Sequence, residues 1–175
     1  MKYMEDMQED RDAESLFVMG KRVDSPLEEI LQGETSLAEE PARGYNSEKD
    51  FVSLDAWRKG RKVRLFFYNK VIPLIPPEEK YALASQTRRA SQSITLNIAE
   101  GYGRYHYKEG IQFYRIARGS IYELKDILII CWDMKIIGKD LFDTGWELLE
   151  DAKVTLNGFI LYVQERQRSS TGKGK

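Results

Sequence analysis

Few residues in this chain could do chemistry. Glu100 and Glu123 are the one acidic pair expected on the inner faces of neighbouring helices, and two carboxylates flanking a pocket can do general acid–base work. Nothing accompanies them. The chain holds one histidine, His106, and one cysteine, Cys131. A single histidine removes the usual zinc and His-pair chemistries. A single cysteine excludes an internal disulfide and any multi-cysteine metal cluster. His106 follows a tyrosine in a polar loop and reads as exposed; Cys131 falls on a core position and reads as an inert small hydrophobe. Gly101-x-Gly103 is too short for a nucleotide-binding loop, and no strand precedes it. The expectation is a non-enzymatic protein with no cofactor and no metal.

The other chemistry the residues suggest is phosphate binding. Cations cluster at Arg58, Lys59, Arg61, Lys62 and Arg64, at Arg88 and Arg89, from Arg104 to Lys108, and at Arg115 and Arg118. The loop 101–108 interleaves Tyr102, Tyr105 and Tyr107 with Arg104, His106 and Lys108. Rings for base stacking beside cations for phosphate suit single-stranded or looped RNA. The candidate nucleic-acid set is Arg58, Lys59, Lys62, Arg88, Arg89, Arg104, Tyr105, His106, Lys108, Arg115 and Arg118. The bland alternative stands beside it: lysines and arginines on a helix are commonly a solvated face, and the tyrosines could simply cap a bundle end.

The net charge of −1 conceals two opposed segments. Residues 1–50 hold fourteen Asp/Glu against six Lys/Arg, a net of −8; residues 51–175 hold fourteen against twenty-one, a net of +7. Low hydrophobicity with high charge marks 1–50 as an acidic N-terminal extension of low order. It is either a solvated tail or an arm that masks the basic domain or docks a partner. No apolar run approaches the ~20 residues that cross a bilayer, and the acidic start is unlike a secretory signal, so a cytoplasmic protein is expected.

The elements that must position these residues are helical. Three- and four-residue spacing predicts helices over about 53–72, 77–100, 108–134 and 141–164, closed by Pro73, Pro76 and Pro77, by Gly101, and by Gly138. The first places Leu54, Trp57, Tyr68 and Val71 on one stripe, with Arg61 and Arg64 in the same sector. The third carries a seam of Phe113, Ala117, Ser120, Leu124, Ile127 and Cys131; the fourth one of Leu149, Ala152, Leu156, Phe159 and Val163. Matched rods joined by short connections must be antiparallel neighbours, so an all-α up-down-up-down four-helix bundle is expected over 51–165, followed by a basic tail, 166–175. The second helix is unusual. Its stripe of Leu83, Gln86, Ala90, Ser93, Asn97 and Glu100 mixes polar with apolar residues. With Ser120 and Glu123 it predicts a buried polar layer of Gln86, Ser93, Asn97, Glu100, Ser120 and Glu123 that fixes register.

Those residues also carry a resemblance. The run from Tyr81 to Gly101 contains Gln86-x-x-Arg89-Ala90, Ser93-Ile94 and Asn97-Ile98-Ala99-Glu100-Gly101. It resembles the signature of the four-helix-bundle family of proteins encoded in 23S rRNA intervening sequences, continuing through Gly103-Arg104, Phe113 and Ile116 to Leu124. Phe51, Leu54 and Trp57 fit the family's opening, so the resemblance spans about 51–163. It implies an antiparallel bundle assembling into a ring-like homo-oligomer, a pentamer, with no established enzymatic activity. A more distant similarity, to the accessory variability protein of diversity-generating retroelements, implies a reverse transcriptase and nucleic acid as partners. Two functions follow as expectations: an oligomer that binds RNA or DNA through its basic surface, or a protein–protein adaptor, such as an accessory subunit of a reverse transcriptase.

Overall fold

The computed structural model describes residues 50–104 and 106–171. These contain four α-helices: α1 (Asp55–Phe66), α2 (Leu83–Gly103), α3 (Tyr107–Asp133) and α4 (Lys139–Thr171). No strand occurs among the described residues.

Contacts across each pair of neighbours fix the directions. Between α1, with the turn that follows it, and α2, Arg64 meets Thr95 and Tyr68 meets Gln92. Between α2 and α3, Gln86 meets Glu123, Ser93 meets Ser120, and Gly101 sits against Gly110. Between α3 and α4, Arg118 meets Asn157 and Lys125 meets Glu150. Lys59 on α1 reaches Asp151 on α4, and Gly145 of α4 sits under Phe66. In every pair one residue number rises as the other falls, so each helix is antiparallel to both neighbours. The result is the expected up-down-up-down bundle, with α1 beside α2 and α4, and α3 diagonal to α1.

The core is apolar and continuous. Val63, Phe67, Ile94, Ile98, Ile121, Leu124, Leu128, Leu149 and Leu156 are fully buried. The expected seams of α3 and α4 lie in it, save that Phe113 and Phe159 are half-buried at its edge. On α1 the buried stripe is rotated from the expected one. Ala56, Gly60, Val63, Phe67 and Val71 face inward, while Leu54, Trp57 and Tyr68 are half-buried around them. Gly60 has to be small, because a Cβ there would lie 2.7 Å from Ile94 Cγ2.

The helix ends also depart from expectation. The first helix ends in a wide π turn, Phe67–Val71, followed by a 3₁₀ turn, Ile72–Leu74. The extra residue in that turn lets the adjacent pairs Phe66–Phe67 and Val71–Ile72 all reach the core. Pro77 opens only a single 3₁₀ turn, Pro77–Glu79, and α2 begins after Ala82, whose φ of −98° and ψ of −92° are not helical. Helix α2 runs through Gly101 to Gly103, and α4 continues to Thr171, so the first residues of the expected tail are helical. Gly138 does not end α3. Lys135 takes φ 58°, its amide donates to the Trp132 carbonyl at 2.9 Å, and the Ile136 amide donates to the Cys131 carbonyl at 2.8 Å, a Schellman close with lysine in the left-handed place.

Candidate nucleic-acid interface

The polar residues along α2 are of two kinds, and those that face its core side are not the ones expected from sequence. Facing the core are Thr87, Ser91 and Thr95, all buried. Their hydroxyls donate to carbonyls of their own helix, Thr87 to Leu83 at 2.7 Å and Ser91 to Thr87 at 2.8 Å. They therefore bury like small apolar groups at little desolvation cost. The residues named from sequence form a ladder at the outer α2–α3 seam. Half-buried Gln86 donates to Glu123, Ser120 donates to Ser93 at 2.7 Å, and Asn97 donates to Ser93 Oγ at 2.9 Å. Glu100 is not part of a buried layer. It is exposed and pairs with Arg104 one turn on, because the seam has rotated it outward at the end of α2. Nor do Glu100 and Glu123 flank a common pocket: Glu123 sits opposite Gln86, fourteen positions from Glu100, or ~21 Å along the helix.

The cations fall into two groups. Several are engaged within the bundle. Arg58 lies 3.5 Å from Asp55 and donates to the Val52 carbonyl at 3.2 Å. Lys59 is clamped to Asp151. Arg89 donates to Gln86 at 2.7 Å and lies 3.6 Å from Glu123. Arg104 pairs with Glu100 over the Phe113 ring at 4.8 Å. Arg118 is half-buried and donates to Asn157 at 3.2 Å. Lys62, Arg88, Lys108 and Arg115 are exposed, and none of them has an acidic partner among the described residues. His106 is exposed as the residue preceding α3, and its carbonyl accepts from the Glu109 and Gly110 amides at 3.1 Å each. Tyr105 lies outside the described residues, as does nearly all of the acidic segment 1–50.

Arg64, one of the two arginines in the hydrophobic sector of the first helix, is held by a hydroxyl. Arg64 Nη1 donates to Thr95 Oγ1 at 2.9 Å in the α1–α2 seam, where burial, and then the nearby Arg61 charge, push its pKa down. Both arginines add to the same side of the bundle as Arg88.

The charges are thus segregated. Residues 83–118, spanning α2 and the first half of α3, carry six cations against Glu100 and Glu109. Residues 139–165 of α4 carry six carboxylates against Lys139 and Lys153. Helix α2 is diagonal to α4, so one corner of the bundle is basic and the opposite corner acidic. On the basic side, Leu96, Ala99, Glu100, Gly103 and Arg104 line a shallow concavity of about 450 Å³, and Tyr102 and Tyr107 are exposed at the α2–α3 turn. Cations beside exposed rings and an open hollow can hold a phosphate backbone and stack bases.

A family model described as 23S rRNA-intervening sequence protein matches residues 52–158. The chain belongs to that family. The match takes in α1, α2, α3 and α4 as far as Gly158, and leaves the last thirteen residues of α4 outside it. A comparison with curated proteins found no match to this family member. No helix among its described residues is long and apolar enough to cross a membrane. One feature of the family member was not read from sequence: the acidic line on α4. The signal was present in the four- and three-residue spacing of Glu147, Asp151, Val154, Gly158, Leu161 and Glu165, a second stripe behind the core seam.

Proposed function

We propose that this chain is a non-catalytic RNA-binding protein that works as a ring-like homo-oligomer, pentameric as the family resemblance implies, in the cytoplasm. The observations that carry the reading are the exposed cations with no acidic partner among the described residues, Lys62, Arg88, Lys108 and Arg115, and the exposed rings of Tyr102 and Tyr107. Cations already held by carboxylates release fewer counterions when phosphate arrives, so these four matter more than the total count. A ring repeats the patch around its circumference and raises avidity without new contacts.

Titrating a fluorescent single-stranded RNA at 50–200 mM salt tests this. Log K should fall linearly with log salt, and Lys62→Ala or Arg88→Ala should each reduce the slope by ~0.7. Absent or salt-insensitive binding overturns the reading. DNA of the same sequence shows whether the 2′-hydroxyl contributes. A second reading, an adaptor for a protein such as a reverse transcriptase, draws on exposed Val154, Leu161 and Tyr162 on α4. Docking through that surface would be insensitive to salt.

A further inference from the structure

We propose that the hollow at the end of α2 takes an unpaired guanine base of the bound RNA, its edge read by Glu100 and its face stacked on Arg104. The inference rests on the RNA-binding reading above and names the base that the site selects.

Leu96, Ala99, Glu100 and Gly103 share one outer face of α2, and with Arg104 they line the hollow of about 450 Å³, a size within the ~300–1,000 Å³ of small-molecule sites. Leu96 and Ala99 supply its apolar part. Leu96 is 63% exposed, so a flat ring laid there removes apolar surface from water. Gly103 sets no side chain before Glu100, and a Cβ there would meet nothing within 4 Å, so the mouth is open.

A Glu–Arg pair one turn apart on a helix is by itself an ordinary surface contact of little worth. This one is pinned. The Arg104 guanidinium lies 4.8 Å over the Phe113 ring of α3, while Nη2 holds Oε1 of Glu100. A guanidinium is planar and stacks on flat partners; steadied by Phe113 on one side, it offers its plane to a base in the hollow. Glu100 Oε2 accepts no hydrogen bond among the described residues, and each carboxylate oxygen has two acceptor sites. Both oxygens can therefore accept from a ligand while the pair with Arg104 persists. That pair also offsets the negative charge that would otherwise repel RNA.

A carboxylate only accepts. Guanine alone among the RNA bases presents two adjacent donors on its Watson–Crick edge, N1–H and the N2 amine, which match the two oxygens. Adenine and cytosine offer one donor beside an acceptor nitrogen, and uracil one donor between two carbonyl oxygens, so each sets a lone pair against the carboxylate. The guanine has to be unpaired, because base pairing uses the same edge, and single-stranded or looped RNA leaves it free. The flanking phosphates have cations to meet. By the Ser93–Ser120 and Gly101–Gly110 pairings, exposed Arg115 stands level with the Leu96 end of the hollow and exposed Lys108 with the Arg104 end.

Fluorescence anisotropy on the full chain tests the site with short labelled oligouridines that carry guanine, adenine or inosine at the centre. The guanine strand should bind at least about tenfold tighter than the adenine strand, as a bidentate contact provides. Inosine keeps N1–H and lacks the amine, so its strand should fall between them. Glu100→Gln replaces an acceptor by a donor, and Gly103→Leu fills the mouth; each should abolish the preference, with circular dichroism to show that both fold. Guanine and adenine strands that bind the parent equally overturn the site and leave the RNA reading standing. A guanine preference that survives both variants places the base elsewhere and overturns the site as well. GMP supplies the same base without a strand. A parent that binds neither strands nor GMP overturns both readings; one that binds GMP alone, and loses it in Glu100→Gln, assigns the hollow to a free guanine nucleotide and overturns its assignment to RNA.

Discussion

Gly101 on α2 and Gly110 on α3 touch backbone to backbone. A Cβ added to Gly110 would lie 2.7 Å from the Gly101 carbonyl oxygen, and one added to Gly101 would lie 2.9 Å from the Gly110 carbonyl oxygen and 2.5 Å from the Tyr114 ring. The obstruction is largely main chain, which cannot swing aside as a side chain can. Gly110→Ala should therefore destabilise the bundle by about 1–3 kcal/mol, as overpacking does. Urea denaturation would read this as a lower midpoint at unchanged slope.

Lys135 holds the left-handed place that closes α3, at φ 58°. That conformation costs an L-residue about 1–2 kcal/mol, and glycine takes it without strain. Part of the gain is lost to glycine's freer unfolded chain, so Lys135→Gly should stabilise by about 1 kcal/mol, and Lys135→Val should destabilise. Paired denaturation curves check both signs.

Lys125 is buried, paired with Glu150, and stands 4.5 Å over the Trp146 ring. Glu150 also holds Lys153 at 2.5 Å and is itself partly exposed, so the cluster is less dry than a true interior pair. Glu150→Leu should cost about 1–3 kcal/mol by removing the carboxylate that Lys125 and Lys153 share. The double variant Lys125→Met/Glu150→Leu should recover much of that. A double-mutant cycle measures the coupling.

Burial pushes the Cys131 thiol up to about 11 and, together with the Tyr102 charge, pushes the Tyr114 phenol up to about 12. Both groups are held neutral by the fold. Their contribution to stability is complete below the unfolded values of 9.0 and 10.0 and is lost as pH rises through the folded ones. Stability should therefore decline between pH 9 and 12, and Tyr114→Phe should flatten the upper part of that decline. At pH 8, alkylation of native Cys131 should be at least about a hundredfold slower than that of the unfolded chain, from thiolate fraction alone.

The α3 and α4 seams were legible because Leu124, Ile127, Cys131, Leu149 and Leu156 announce themselves by size and spacing. The α1 stripe was not. Its inward positions include Ala56 and Gly60, which carry no hydropathy signal, whereas Trp57 and Tyr68 draw attention and sit at the edge. On α2, spacing placed Gln86, Ser93 and Asn97 at a helix seam but one position off the core. It could not show that Thr87, Ser91 and Thr95 are the buried hydroxyls, because their partners are local carbonyls that no pattern encodes. The cations were visible as residue types. Which of them Asp55, Asp151, Glu123 and Glu100 hold was not, since Arg89–Glu123 and Lys59–Asp151 join different helices, the latter across 92 residues, and the one-turn pairs Asp55–Arg58 and Glu100–Arg104 depend on side-chain placement.

Helix α4 outlasts its neighbours. Val163 is the last buried residue among 139–169, and none of residues 164–169 is buried. Residues 164–169 thus add no buried side chain to their own amide–carbonyl ladder, and short stretches of such ladder are marginal in water. Deuterium should enter the amides of residues 164–171 orders of magnitude faster than those around Leu149 to Leu156, which open only when the whole molecule does. That contrast makes the end of α4 a place to attach a label without disturbing the rest.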